Sequence, residues 1–316
     1  MSFAGRIGII GAGALGALYG ARIARAGHDV HFLLRGDYEA VQRDGLKVFS
    51  PQGDFEMRPP VYPSPGAMGP CDLLIVGMKA TDIAALAPIL AHTTHAETVV
   101  LTLQNGLGNE EAIAAMLDAL HSGGTGRGRV IGGVAFLCSN RTAPGVIHHM
   151  SYGRVRMAEL AGPALDRTRA IAQLFLDAEF GCEVSDSLAT IRWEKLVWNI
   201  PFNGLGVAAH HADSQVCVTD DELLRVSRGL MEEVVAAARA ADGVEIAPAF
   251  IDLMMKYTLD MGPYRSSMQL DHEAGRPLEV EAILGEPVRR ARAAGIAVPR
   301  MEMLYAIVRR VDAVRV

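Results

Sequence analysis

Hydrophobic and polar positions change their period part-way along the chain. In the first half, short apolar runs alternate with stretches of helical period. "RIGIIGAG" is an apolar run closing on glycine, followed by a helix through Ala26, and "HDVHFLLR" is a second strand. "LKVFSPQGDFEMRPPVYP" has period-two stretches around Pro-Gln-Gly and predicts a hairpin insertion. "DLLIVGMK" and "TVVLTLQNG" are further buried strands, with the helical "DIAALAPILAH" between them, and "VIGGVAFLCSNRTAPGVIHHMSYGRVRMAEL" reads as more strands. Strands alternating with helices predict an α/β fold with a parallel, doubly wound sheet. From Leu188 the pattern turns helical, in "SLATIRWEKLVWNI", "DDELLRVSRGLMEEVVAAARAADG", "PAFIDLMMKYTLDMG", "LEVEAILGEPVRRARAAG" and "PRMEMLYAIVRRV". The shift predicts two domains, residues 1–186 and an all-helical 187–316.

One helical stretch has an unusual second pattern. In "IRWEKLVWNIPFNGL", Lys195, Asn199 and Asn203 recur every four residues and form one polar stripe on a helix otherwise crowded with apolar side chains. Pro201, between the two asparagines, is expected to kink that helix and displace Asn203 from the stripe.

Composition narrows the class. Of 316 residues 50% are hydrophobic and 21% charged, with a net charge of −6 and no long basic run, which argues for a soluble globular protein and against nucleic acid or an anionic membrane as partner. Four cysteines without a CxxC pair suit a reducing cytoplasm rather than a disulfide framework. Neither they nor His92, His95, His148 and His149 converge on a recognisable metal site. The apolar stretch Ile7–Ala21 resembles a secretory signal but carries five glycines at meaningful spacing.

Those glycines are the first candidate chemistry. Gly11-Ala12-Gly13-Ala14-Leu15-Gly16 follows a strand and opens a helix, the context in which GxGxxG signifies dinucleotide binding. Gly11 allows the tight turn, Gly13 the approach of a pyrophosphate, and Gly16 close packing of helix on sheet. The second strand ends in Arg35, where NAD-binding proteins usually place an acid for the ribose 2′-hydroxyl; arginine suits a 2′-phosphate, so NADP is the expected cofactor, with Asp37 a competitor two residues on. Lys79 and Asn105 each follow a buried strand, at the end of the sheet where ligands bind.

"GAGALG", "LLRGDYEAVQRDGL", "GMKATD", "QNGLGNEE", "GGVAF", "WEKLVWNIPFNGL" and "RSSMQLDHEAGRPLEVEAILGEPVRRARAAGIAVP" resemble, in this order and over almost the whole chain, the ketopantoate reductases (2-dehydropantoate 2-reductases). The resemblance implies an N-terminal Rossmann-type domain binding NADP and a helical substrate domain. It implies an oxidoreductase acting on CH–OH that reduces a small 2-keto acid with NADPH, on the route to pantothenate and coenzyme A. A cytoplasmic enzyme is expected; the sequence does not read out its oligomeric state, for which a homodimer is one option. Lys195 is similar in position to the family's general acid, which protonates the oxyanion left by hydride delivery. Asn199 and Asn203 correspond to substrate-binding amides, Ser267 to the serine that holds the substrate carboxylate, and Glu279 to an acid that positions substrate and reaches the cofactor. Asn105 is expected to serve both substrate and cofactor.

Several readings stay open. Ser266-x-x-Gln269 also reads as a capping box, and Glu279 as part of an acidic first helical turn with Glu281. Asp213 and Tyr264 stand where the family pattern commonly has polar amides, which bears on which keto acid is taken, and His210 and His211 are alternative proton donors. Two other classes compete: a β-hydroxyacid dehydrogenase, whose helix carries Lys-x-x-Asn-Asn rather than the four-residue step seen here, and a non-catalytic NADP-binding module.

Overall fold

The chain alternates strand and helix from its start. β1 (Ile7–Ile10), α1 (Ala14–Arg25), β2 (Val30–Leu33) and α2 (Tyr38–Asp44) are followed by β3 (Leu46–Phe49), β4 (Phe55–Met57), β5 (Val61–Tyr62) and a single turn, α3 (Pro65–Met68). Then come β6 (Leu73–Val76), α4 (Leu86–Thr93), β7 (Val99–Thr102), α5 (Asn109–Leu120), β8 (Val130–Ala143), β9 (Val146–Glu159), α6 (Asp166–Asp177) and β10 (Cys182–Val184). Seven helices follow: α7 (Leu188–Ala208), α8 (Val216–Thr219), α9 (Asp221–Asp242), α10 (Pro248–Met261), α11 (Ser267–Glu273), α12 (Glu286–Ala293) and α13 (Pro299–Ala313). This computed structural model describes residues 3–121, 123–124, 126–210 and 212–314. It divides into two units, Met1–Gln104 with Asn109–Leu188, and Asn105–Gly108 with Ala189–Val316.

The first unit is built on one sheet in the order β4-β3-β9-β8-β7-β6-β1-β2-β5, with β10 beside β9. β1, β6 and β7 are buried along their whole length, which explains their unbroken apolar sequences: a parallel strand covered on both faces has no solvent side to mark with polar residues. Ile7 and Ile9 pack with α1 and α6 on one face, and Ile10, Leu74 and Val76 with α4 and α5 on the other. β1 lies between β2 and β6, so strand order reverses there and the sheet's ligand crevice opens beyond its carboxyl end. The sheet is mixed rather than wholly parallel, because β8 and β9 form a long antiparallel hairpin and β3 and β4 the expected short one. α6 and β10 had no counterpart among the predicted elements. The α4 stretch begins as a 3₁₀ turn, Ala80–Ala85.

In the second unit α7 is central. Ile191, Trp193, Leu196, Val197 and Ile200 are buried around its circumference, the signature of a helix enclosed by others. Trp193 is fully buried, and its indole N–H donates to Asp242 at 2.6 Å. The helix runs on through Pro201 to Ala208. α9 is capped at its start by Asp220, which accepts from the N–H groups of Glu222 and Leu223, and ends at Gly243 in the left-handed region.

The stretch expected to be one helix from Leu278 is instead a five-residue π-turn, Glu281–Gly285, leading into α12. The N–H of Glu286 reaches back five residues to the carbonyl of Glu281. In that register the donor for the Ala282 carbonyl would be residue 287, which is proline and has no N–H. The orphaned carbonyl accepts instead from the N–H of Leu107, at 3.0 Å. Gly106, at φ 87°, lies so close that a Cβ there would stand 2.3 Å from that same carbonyl oxygen. This is how Asn105–Gly108 comes to belong to the helical unit, with Leu107 inside its core.

Candidate active site

In the first unit the glycine motif turns from β1 into α1. Gly11 has φ 83° and passes so near the backbone of Met78 that a Cβ would lie 2.3 Å from that residue's nitrogen. Gly16 presses on the Gly11 carbonyl, 2.5 Å from where its own Cβ would be. Gly13 is different: a Cβ there would meet nothing within 4 Å. It is also the N-cap of α1, where it offers no side-chain acceptor, and no acidic residue occupies the first turn. The first N–H groups of α1, at Ala14, Leu15 and Gly16, have no partner within the helix and remain available to an anion. Two glycines thus close the backbone on itself and the third keeps space beside Ala12 and a helix N-terminus. That arrangement fits a pyrophosphate.

Arg35 follows β2, is exposed, and makes no hydrogen bond or ion pair with the described residues. Asp37, its competitor in the sequence, is held by Arg141, whose Nη1 lies 2.6 and 2.7 Å from the two carboxylate oxygens. Lys79, half-buried, follows β6 and precedes the 3₁₀ turn; its carbonyl accepts from the side-chain amide of Gln104 at 3.3 Å.

In the second unit Lys195 is half-buried, its ammonium 5.8 Å from the centre of the Trp198 ring, within reach of a cation–π attraction. The indole is itself fixed: its N–H donates to Thr258 Oγ1 at 3.0 Å, and its ring packs against Phe202 and Tyr264. One turn beyond Lys195, Asn199 is 3% exposed, and its side-chain amide makes no hydrogen bond with the described residues. None of the described residues uses that amide's bonding capacity, which leaves it for a ligand or solvent. Asn203 is also buried, but its Oδ1 accepts from the N–H of Met268 at 3.1 Å, so it anchors the start of α11.

The capping half of the Ser266-x-x-Gln269 reading is present. Ser266 accepts from the N–H of Gln269, whereas Ser267, half-buried beside it, makes no hydrogen bond to described residues. Glu279 is 4% exposed and precedes the π-turn, three residues before the Ala282 carbonyl that holds the Asn105–Gly108 segment. Its supposed companion Glu281 is instead bound by Arg289 and Tyr305. Burial works to raise the Glu281 carboxyl, but those hydrogen bonds outweigh it and hold the group below the ordinary carboxylate range.

Asp213 accepts from the N–H of Val216, the first residue of α8, at 2.9 Å. His210 is exposed just past α7, and His211 lies outside the described residues. Burial pushes the Cys71 thiol up to about 11, and those of Cys182 and Cys217 to about 12, so none of these supplies a thiolate near neutrality. No group of three or more His, Cys, Asp or Glu able to hold a metal occurs among the described residues, and no described helix is long and apolar enough to cross a membrane.

Sequence reasoning missed three features: the Asp37–Arg141 pair, the Thr258 clamp on Trp198, and the Leu107–Ala282 bond. Only the last left a local signal, Pro287 inside an otherwise helical pattern.

Comparison with known proteins agrees in both units. Residues 7–162 match the family described as "Ketopantoate reductase PanE/ApbA", and residues 187–312 its C-terminal counterpart. A 2-dehydropantoate 2-reductase of Nostoc sp. is 42% identical over 304 residues, covering 94% of this chain and 92% of its own. The crystal structure of 2-dehydropantoate 2-reductase from Geobacter metallireducens superposes with a TM-score of 0.91 at 44% identity, over 96% of this chain and 99% of that one. The enzyme of that name from Methylococcus capsulatus follows at 0.88 and 32%, over 98% and 97%.

Proposed function

This chain belongs to the ketopantoate reductase family and is an oxidoreductase, and on that premise we propose that it reduces 2-dehydropantoate to (R)-pantoate with NADPH, a step toward pantothenate and coenzyme A. The observation that carries the reading is the amide of Asn199, which makes no hydrogen bond with the described residues, one turn from Lys195. A non-catalytic module has no use for that pair. Residues 1–186 serve as the cofactor domain and residues 187–316 as the substrate domain.

Gly11–Gly16 hold the pyrophosphate of the cofactor, and Arg35 and Lys79 its adenosine end, with Arg35 on the 2′-phosphate. When bound, the nicotinamide supplies the hydride. The chain's own work is done on oxygen atoms. Lys195 Nζ–H donates to the ketone oxygen, its charge stabilising the alkoxide as it forms, and then gives up the proton to make the hydroxyl. Trp198 restrains the flexible lysine stem by holding the ammonium over its ring. Asn199 donates to the substrate carboxylate or bonds its hydroxyl without adding charge, and Ser267 donates to the carboxylate. Asn203 holds α11, and with it Ser267, while Asn105 and Glu279 orient substrate and cofactor. Four unpaired cysteines are what a cytoplasmic enzyme carries. The proposed assembly is a homodimer, to be checked by mass in solution.

Lys195→Ala tests the reading. It should bind NADPH as the wild type does and lose turnover by about 10²–10⁴-fold, the scale expected for removal of a general acid. Lys195→Arg should not restore it, because guanidinium gives up a proton poorly and its planar head fits differently. A near wild-type single-turnover rate in Lys195→Ala would remove lysine from the mechanism.

A further inference from the structure

Asp37 occupies the N-cap of α2, where an aspartate ordinarily accepts from N–H groups of the first helical turn, yet it makes no such bond. Both oxygens instead face Nη1 of Arg141, and Oδ2 also accepts from the N–H of Gly145 at 3.3 Å. Arg141 and Gly145 belong to the tip of the β8–β9 hairpin, 104 and 108 residues further along the chain. The tip is fixed: the Gly145 carbonyl accepts from the N–H of Lys47 at 2.8 Å, and a Cβ on Gly145 would come within 2.8 Å of Val41. Asp37 is 14% exposed in this arrangement.

The end of the second strand is where dinucleotide-binding folds read the ribose, an acid selecting the 2′-hydroxyl and an arginine the 2′-phosphate. This chain carries both, two residues apart. Left to itself, Asp37 would repel a phosphate and compete for the Arg35 guanidinium. In this structure it makes no bond to Arg35 and is paired with Arg141 instead. We propose that Arg141 is a specificity-determining residue for the cofactor. By holding Asp37 against the hairpin and balancing its charge, it leaves Arg35 to a 2′-phosphate and denies the acid to a 2′-hydroxyl. Arg141 acts through Asp37 and is a positioning residue; its role rests on the reading of Arg35 given above.

A bridge that merely staples the hairpin to α2 behaves differently under substitution. The test measures dissociation constants for NADPH and NADH, with melting temperatures, in the full chain. Arg141→Ala should weaken NADPH binding about tenfold and leave NADH within about twofold or tighter. Adding Asp37→Asn to that variant should restore NADPH affinity, although the bridge is still broken and the melting temperature stays low. Arg141→Gln keeps a donor for Asp37 without its charge, so it should show the same discrimination should Arg141→Ala fold poorly. Equal weakening of both dinucleotides, no weakening of either, or a double variant that does not recover NADPH would each overturn the role of Arg141. A wild type that prefers NADH would instead overturn the reading of Arg35, and this inference with it.

Discussion

Gly13 and Gly16 stand three residues apart in one motif and should fail in opposite ways. Gly13→Ala adds a methyl group to open space, so the melting temperature should stay within a few degrees while dinucleotide affinity drops by about tenfold or more, the methyl now occupying the approach to the helix N-terminus. Gly16→Ala sets its methyl 2.5 Å from the Gly11 carbonyl, a backbone atom that cannot yield without moving the turn. It should cost about 1–3 kcal/mol of stability by denaturant titration, typical of overpacking. Equal losses of stability in the two variants would contradict this division of labour. The turn and the close packing were legible in the sequence because a glycine motif encodes backbone geometry, which is local. The partner of Asp37 was not, since Arg141 lies 104 residues away and nothing in its own neighbourhood marks it.

The stripe on α7 was legible as well, because the helical period places Lys195, Asn199 and Asn203 on one side whatever surrounds them. What each amide bonds to depends on which helix packs there, and periodicity carries no such information. Asn199 emerged unbonded, whereas Asn203 is spent on the N–H of Met268. Asn203→Ala should therefore lower stability by about 1–3 kcal/mol, the cost of an unsatisfied buried donor, and also raise KM as the start of α11 loosens beneath Ser267. A variant of wild-type stability with a raised KM would make Asn203 a substrate ligand only. The π-turn was hidden for a related reason: apolar spacing does not distinguish a carbonyl bonded four residues on from one bonded five on, and only Pro287 hinted that the ladder would break there.

For the whole molecule, the change from strand–helix alternation to continuous helix was enough to read an α/β unit followed by a helical one. It could not disclose that Asn105–Gly108, a glycine-rich loop in sequence, belongs with the helices. Leu107 lies in the first half of the chain and is 6% exposed within the core of the second unit. Leu107→Ala should cost about 2–5 kcal/mol and speed amide exchange in α12 and the π-turn, with the amides of β1 and β6 unaffected. Faster exchange confined to the sheet would contradict that placement. The polypeptide therefore crosses between its units three times, after Gln104, after Gly108 and after Leu188. A gene cut at the last crossing would deliver a helical half with its plug missing. Recombination could not trade that half between relatives as a contiguous cassette, and splitting the protein into two co-expressed fragments there would force the first fragment to repair the core of the second.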